Sequence, residues 1–185
     1  MVSLQGQLLI ATPSLTDPNF EKTVVLVALH GEDGALGLIL NRPIRSEVKE
    51  LWSQVSKTFC VRDGFAREAG PVSGSLITLH DRRSLANFVV TDAIYVGTEM
   101  SSMESLVASD EGQAIFFLGH AGWGPGQLER ELQEGSWLLL PARSEHVFGV
   151  PDPLVLWKDA TREAGRRQIH TMIDLKHIPE NPQVN

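Results

Sequence analysis

Ala114-Ile115-Phe116-Phe117-Leu118-Gly119-His120-Ala121-Gly122-Trp123-Gly124-Pro125-Gly126-Gln127-Leu128-Glu129-Arg130-Glu131-Leu132 is the stretch on which the fold turns. Its first five residues are apolar and read as a strong strand. Four glycines follow within the eight residues from 119 to 126. A helix is then expected from about Pro125 to Glu134, with Gly135 as its stop. Ser136 to Leu140 reads as a strand again, so the segment has the order of a βαβ crossover.

Toward the N-terminus the pattern is one of short strands. Leu8 to Ala11 is a first strand, and Pro13, Asp17-Pro18 and Asn19 supply turn chemistry after it. Val24 to Leu29 is a continuous apolar run, as expected of a strand buried on both faces. Asp33-Gly34 then separates it from Ala35 to Leu40, a hairpin signal. Asn41-Arg42-Pro43 ends that strand. Ser46 is placed to cap a helix starting at Glu47, in which Val48, Leu51, Trp52 and Val55 form one apolar stripe. Phe59 to Gly74 reads as irregular. Strands are expected at Leu76 to Leu79, Phe88 to Val90 and Ile94 to Val96. Ser101 and Glu104 have capping-box spacing for the next helix.

Beyond the opening stretch, Asp152-Pro153 starts a helix that Gly165 is expected to end, and Gln168 to Leu175 is a possible last strand. Residues 179 to 185 read as a polar tail, leaving 1 to 178 as one domain. Hairpins dominate the first half and helices intervene in the second. That assigns an α+β class with about four helices.

Composition narrows the function. With 16 Lys+Arg against 23 Asp+Glu the net charge is −7, which repels phosphate backbones on average. The most basic region, Lys158 to His177, also carries Asp159, Glu163 and Asp174 and reads as a solvated mixed-charge helix face. Cys60 is the only cysteine, which fits a reducing compartment. Met1 to Gln7 lacks the basic and apolar regions of a signal peptide, and apolar runs such as Val24 to Leu29 are far too short to span a bilayer. A cytoplasmic protein without nucleic-acid or membrane partners is expected.

The glycine-rich stretch invites a ligand, because free N–H groups at a helix start make an anion site. The phosphate patterns nevertheless fail. Gly122, Gly124 and Gly126 lack G-x-G-x-x-G spacing, and Pro125 and Gly126 stand where a Walker loop needs Lys and Ser/Thr. Glu129 and Glu131 would repel a phosphate there. Trp123 reads either as a stacking surface over a groove or as a plug in the core, the latter fitting the usual burial of large aromatics. Gln127 and Glu131 share one helix face.

The other reactive groups form no signature. Six histidines show neither H-E-x-x-H nor paired-cysteine spacing, so no metal site and no cofactor are expected. His30, His80 and His120 each follow an apolar strand and could converge at one sheet edge. Cys60 lies in apolar Phe59-Cys60-Val61, which favours an inert, part-buried thiol. Gly70-Pro71-Val72-Ser73-Gly74-Ser75 lacks G-x-S-x-G and reads as a turn.

Three segments share an order and spacing with one family. They are Gly6-Gln7-Leu8-Leu9-Ile10-Ala11-Thr12-Pro13 through Asp17-Pro18-Asn19-Phe20; Gly37-Leu38-Ile39-Leu40-Asn41-Arg42-Pro43; and Gly119 to Glu129 with Trp137. Gly70-Pro71-Val72 and Leu79-His80 add to them. Over nearly its whole length the chain resembles the AlgH/YqgE family of bacterial proteins. That resemblance implies one α+β domain around a bent, mostly antiparallel sheet in a bacterial cytosolic protein. It implies no agreed activity; one branch is described as regulating exopolysaccharide (alginate) production. Ala69-Gly70 stands where that family shows two glycines, and His120 where an aromatic often follows the glycine.

The expectation for function is therefore a non-catalytic, ligand- or protein-binding regulatory protein. The candidate binding residues are Asn41, Arg42, Gly70, Pro71, His80, Gly119, His120, Gly122, Trp123, Gly124 and Gln127, with an unidentified small molecule or protein as partner. Two alternatives remain open. One is a hydrolase or thiol enzyme using His80 or His120 with Cys60; the other is a DNA-binding regulator using Arg162 to Lys176.

Overall fold

The computed structural model of the chain describes residues 2–149 and 152–176; the tail expected at 179–185 lies outside them. The fold is α+β. Ten strands form one curled, mostly antiparallel sheet: β1 (Gln7–Ala11), β2 (Val24–Gly31), β3 (Gly34–Ile39), β4 (Pro43–Glu47), β5 (Phe65–Glu68), β6 (Val72–His80), β7 (Phe88–Thr91), β8 (Ile94–Gly97), β9 (Ala114–Trp123) and β10 (Trp137–Pro141). Five α-helices pack with it: α1 (Val48–Val55), α2 (Met100–Val107), α3 (Gln127–Gln133), α4 (Ser144–Phe148) and α5 (Pro153–Lys176).

The strand order is β10-β1-β2-β3-β9-β6-β8-β7, with β4 and β5 as a side branch. β5 pairs antiparallel with β4 and parallel with β9. The β9–α3–β10 segment is a crossover, but it passes over β3, β2 and β1 before β10 pairs with β1. The sheet curls until the Gln5 side chain donates to the Val89 carbonyl of β7 at 3.0 Å.

Alternation along the strands divides the apolar residues between two faces. Leu8, Ile10, Val24, Leu26 and Ala28 point into the curl with Leu79, Val96 and Phe117, where Leu156, Ala160 and Ala164 of α5 close the core. Leu9, Ala11, Val25 and Val27 point outward and are covered by Trp123, Leu128 and Trp137. A third cluster packs α1 and α2 onto Phe116 and Ala66. Both faces of β2 are thus covered, which is why Val24 to Ala28 is apolar without a break.

Several boundaries differ from expectation. Gly119 to Trp123 is not a loop: β9 continues through it. Gly119 lies against the Val72 carbonyl and Ala121 against Gly70, a packing demand that reads as a loop in sequence. The residues before α1 form β4, and Glu47, not Ser46, flanks the helix, its N–H donating to Glu50 Oε2 at 3.3 Å. Phe65 to Glu68, inside the segment expected to be irregular, is β5. Met100 opens α2, one residue before Ser101. α5 runs through Gly165 to Lys176, so Gln168 to Leu175 is helix and not strand. A lone glycine costs a long, packed helix only about 1 kcal/mol. No helix among the described residues is long and apolar enough to cross a membrane.

Candidate functional site

The glycine-rich signature is used largely to hold the fold. Trp123 is buried, its indole packed over Gly37 where any Cβ would lie 2.9 Å from the ring. Its Nε1–H donates to Glu131 Oε2 at 2.9 Å, and the Trp137 Nε1–H donates to the same oxygen at 2.9 Å. Gln127 Nε2 donates to the other oxygen at 2.9 Å, while Gln127 Oε1 accepts the Gly124 N–H at 3.1 Å. Next to this clamp His30 Nδ1 accepts the Leu4 N–H, so its Nε2–H faces Glu129 Oε1 at 2.9 Å. The signature thereby fastens α3 onto the outer face of the sheet.

Asn41 and Arg42 also serve the framework. Asn41 Oδ1 accepts the Val24 N–H and its Nδ2 donates to the Lys22 carbonyl, each at 2.8 Å. Arg42 Nη2 donates to the Pro18 carbonyl at 2.8 Å. Together they pin the Thr12–Asn19 turn region to the start of β2.

Gly70, Pro71 and Gly119 meet at a backbone crossing. The Ala69 carbonyl accepts the Ile39 N–H and the Ala69 N–H donates to the Leu118 carbonyl, both at 2.9 Å. From there the chain passes over β9 to reach its other edge, where Val72 pairs with His120. The approach is tight. A Cβ at Gly70 would lie 2.4 Å from Ala121 N, and one at Gly119 (φ 74°) 2.4 Å from the Val72 carbonyl oxygen. Only glycine permits that contact.

Just past the crossing β6 parts from β9. The register goes from Val72↔His120 to Leu76↔Leu118, so Ser73, Gly74 and Ser75 stand opposite Gly119 alone and bulge outward, all exposed. A cleft of about 380 Å³ opens there, lined by Ile44, Glu68, Gly70, Ser73, Gly74, Leu118 and Gly119. Ile44 and Leu118 are its half-buried apolar parts, with Glu68 and Ser73 exposed. Its volume is at the small end of ligand pockets.

The expected reactive groups lie elsewhere and apart. His80 pairs with Ala114 at the start of β9 and His120 lies six residues further along, roughly 20 Å by strand rise. The three histidines therefore do not converge. His80 is fully buried; its Nδ1 accepts the Arg82 N–H at 3.3 Å, and its Nε2 finds no partner among the described residues. Burial holds its pKa below the ordinary histidine value. Cys60 is buried among Val48, Trp52 and Leu106 with its Sγ directed at the Arg62 carbonyl, and burial pushes the thiol up. No group of three metal-ligating side chains occurs among the described residues. On α5, Arg162 pairs with Asp159 at 2.8 Å and Arg167 with Glu163 at 3.7 Å.

Comparison with known proteins fits this frame. The AlgH-like family model matches residues 8–168. The chain belongs to the AlgH-like family. It is 38% identical to a UPF0301 protein of Idiomarina loihiensis over 89% of this chain and 93% of that one. It is 35% identical to a UPF0301 protein of Streptomyces avermitilis, covering 99% and 96%. The solution structure of the AlgH protein from Pseudomonas aeruginosa superposes with a TM-score of 0.71 at 29% identity, over 87% of this chain and 89% of that one. A crystal structure from Corynebacterium diphtheriae shares the fold with a TM-score of 0.72 at 21% identity, over 88% and 87%.

Within this AlgH-like fold the candidate residues divide. Gly70 and Gly119 line the cleft, and Pro71 and His120 flank them in the chain. Asn41, Arg42, Trp123, Gly124 and Gln127 belong to the framework bonds, Gly122 is exposed on β9, and His80 is sealed at the far end of β6. Ile44, Glu68, Ser73, Gly74 and Leu118 were not expected. Their only signal was the Gly-Pro-x-Ser-Gly-Ser run, which marks a break in β6 but not what lies beneath it.

Proposed function

We propose that this AlgH-like chain is a non-catalytic regulatory protein of the bacterial cytoplasm that recognises a small molecule or a protein segment in the cleft between β6 and β9. The observation that carries the reading is the parting of those strands beside Gly119, which opens a hollow with apolar and polar walls where Gly70 and Gly119 press against neighbouring backbone. The thiol and the buried imidazole on which the enzyme alternative draws sit outside it: Cys60 is buried in the α1–α2 cluster and His80 in the sheet. Regulation through a ligand or protein is favoured over direct DNA contact, since the net charge is −7 and the basic residues Arg162 and Arg167 carry acidic partners.

The test is NMR titration with hexanol, hexylamine and hexanoate. At least one probe is expected to shift the amides of Ile44, Glu68, Gly74, Leu118 and Gly119. Gly74 lines the cleft and has no atom within 4 Å of its would-be Cβ, so a side chain there starts in open space and Gly74→Phe is expected to abolish those shifts. Shifts confined to other regions contradict the proposal.

A further inference from the structure

We infer that the occupant of this cleft is a lysine or arginine side chain on an extended segment of a partner protein, laid beside Ser73–Ser75; the inference rests on the cleft being the binding site. The charge argument is direct. Glu68 is the only charged residue lining the cleft, it is exposed, and it has no ion pair among the described residues. Two neighbouring cations are engaged elsewhere: Arg67 alternates to the other face of β5 and donates to the Leu40 carbonyl, and Arg42, across from Glu68, donates to the Pro18 carbonyl. The Glu68 carboxylate, within a chain of net charge −7, favours a cation over phosphate or carboxylate ligands.

The shape argument concerns the stem and the backbone. Ile44 and Leu118 give an apolar surface for the methylene chain of a long basic residue, whose charged end reaches Glu68 and the Ser73 hydroxyl at the rim. The cleft's 380 Å³ is ample for one long side chain. Beside it, Ser73, Gly74 and Ser75 have no ladder partner on β9, and β8 pairs with β6 only from Thr78 to His80. Exposed, extended backbone without ladder partners is the template on which an incoming strand pairs. A partner segment thus gains main-chain hydrogen bonds from the bulge and side-chain specificity from the cleft.

The experiment compares acetyl-Val-Lys-Val-amide, the same peptide with Nε-acetyl-lysine, and spermidine, read by the amide shifts of Ser73, Gly74, Leu118 and Gly119. The lysine peptide is expected to bind at least about tenfold more tightly than its acetylated form and than spermidine, and to lose about tenfold in Glu68→Gln. Glu68 is exposed and its N–H donates to the Arg42 carbonyl through backbone alone, so that variant keeps the fold. Equal binding of the lysine and acetyl-lysine peptides, or no effect of Glu68→Gln, overturns the cationic occupant. Spermidine binding as tightly as the peptide overturns the extended segment. If hexanol shifts the cleft amides while the lysine peptide does not, this inference fails and the binding cleft stands. If no probe shifts them, both fail.

Discussion

Trp123 and Trp137 share one acceptor: each indole N–H donates to Glu131 Oε2 at 2.9 Å, with the rings edge-to-face at a centroid distance of 6.2 Å. Phe20 completes the cluster, 5.8 Å from Trp123 and 5.4 Å from Trp137. A single carboxylate on α3 thereby ties β9 to β10, two strands with three others between them in the sheet. Removing it leaves two buried donors without a partner, and hydrogen bonds to a charged group are worth about 1.5–3 kcal/mol each. Glu131→Ala is expected to destabilise the chain by roughly 3 kcal/mol, and Glu131→Gln, which keeps one acceptor oxygen, by less. Urea unfolding followed by tryptophan fluorescence measures both.

Trp123 fills space as well as bonding. Trp123→Ala is expected to cost about 3–5 kcal/mol, the range for emptying a large aromatic site in a core. A variant with unchanged unfolding free energy contradicts the plug.

The glycines of the crossing and of the bulge answer differently to a methyl group. At Gly119 a Cβ would lie 2.4 Å from the Val72 carbonyl oxygen and the backbone is left-handed, whereas Gly74 is open. Gly119→Ala is expected to lose well over 2 kcal/mol, from about 1–2 kcal/mol of left-handed strain plus the clash. Gly74→Ala is expected to stay within about 0.5 kcal/mol of the parent. Thermal unfolding midpoints separate the two.

His80 makes stability depend on pH. Desolvation holds its folded pKa below the ordinary value of about 6.5, the neighbouring Asp81 opposing in part. Below about pH 6.5 the unfolded chain takes up the proton before the folded one does. This contribution is therefore complete above that pH and is lost as the pH falls toward the folded pKa. The slope is at most about 1.4 kcal/mol per pH unit. His80→Leu is expected to flatten the stability profile between pH 7 and pH 5, roughly the span below the ordinary histidine value. An unchanged profile contradicts the assignment.

Cys60 is expected to react slowly with a disulfide reagent in the native protein and fast in urea, because burial both shields the thiol and disfavours its thiolate. Fast native labelling revives the thiol-enzyme alternative.

Much of the fold was legible because burial on two faces leaves continuous apolar runs, as at Val24 to Ala28, and because Asp33-Gly34 carries its turn chemistry locally. The AlgH-like segments supplied the bent sheet. What escaped depended on distant partners. β5 is only four residues long, two of them the charged Arg67 and Glu68, and it is held by pairing with β4 and β9. Gly119 to Trp123 reads as a loop until Gly70 and Val72 are known to lie against it. Trp123 could be weighed as a core plug from its size, but its acceptor Glu131 lies eight residues on and its ring partner Trp137 on another strand. The cleft was the least visible part: it exists through a register break between β6 and β9, and register is a property of two strands together.

The measurement that bears most directly on this division between framework and recognition is a paired one. Gly74→Phe and Trp123→Phe are each subjected to thermal unfolding and to NMR titration with the lysine peptide. The account predicts that Gly74→Phe keeps the parent midpoint and loses the shifts at Leu118 and Gly119, while Trp123→Phe melts lower and keeps them. Intact shifts in Gly74→Phe, with loss of binding at full stability in Trp123→Phe, would return recognition to the tryptophan loop and contradict it.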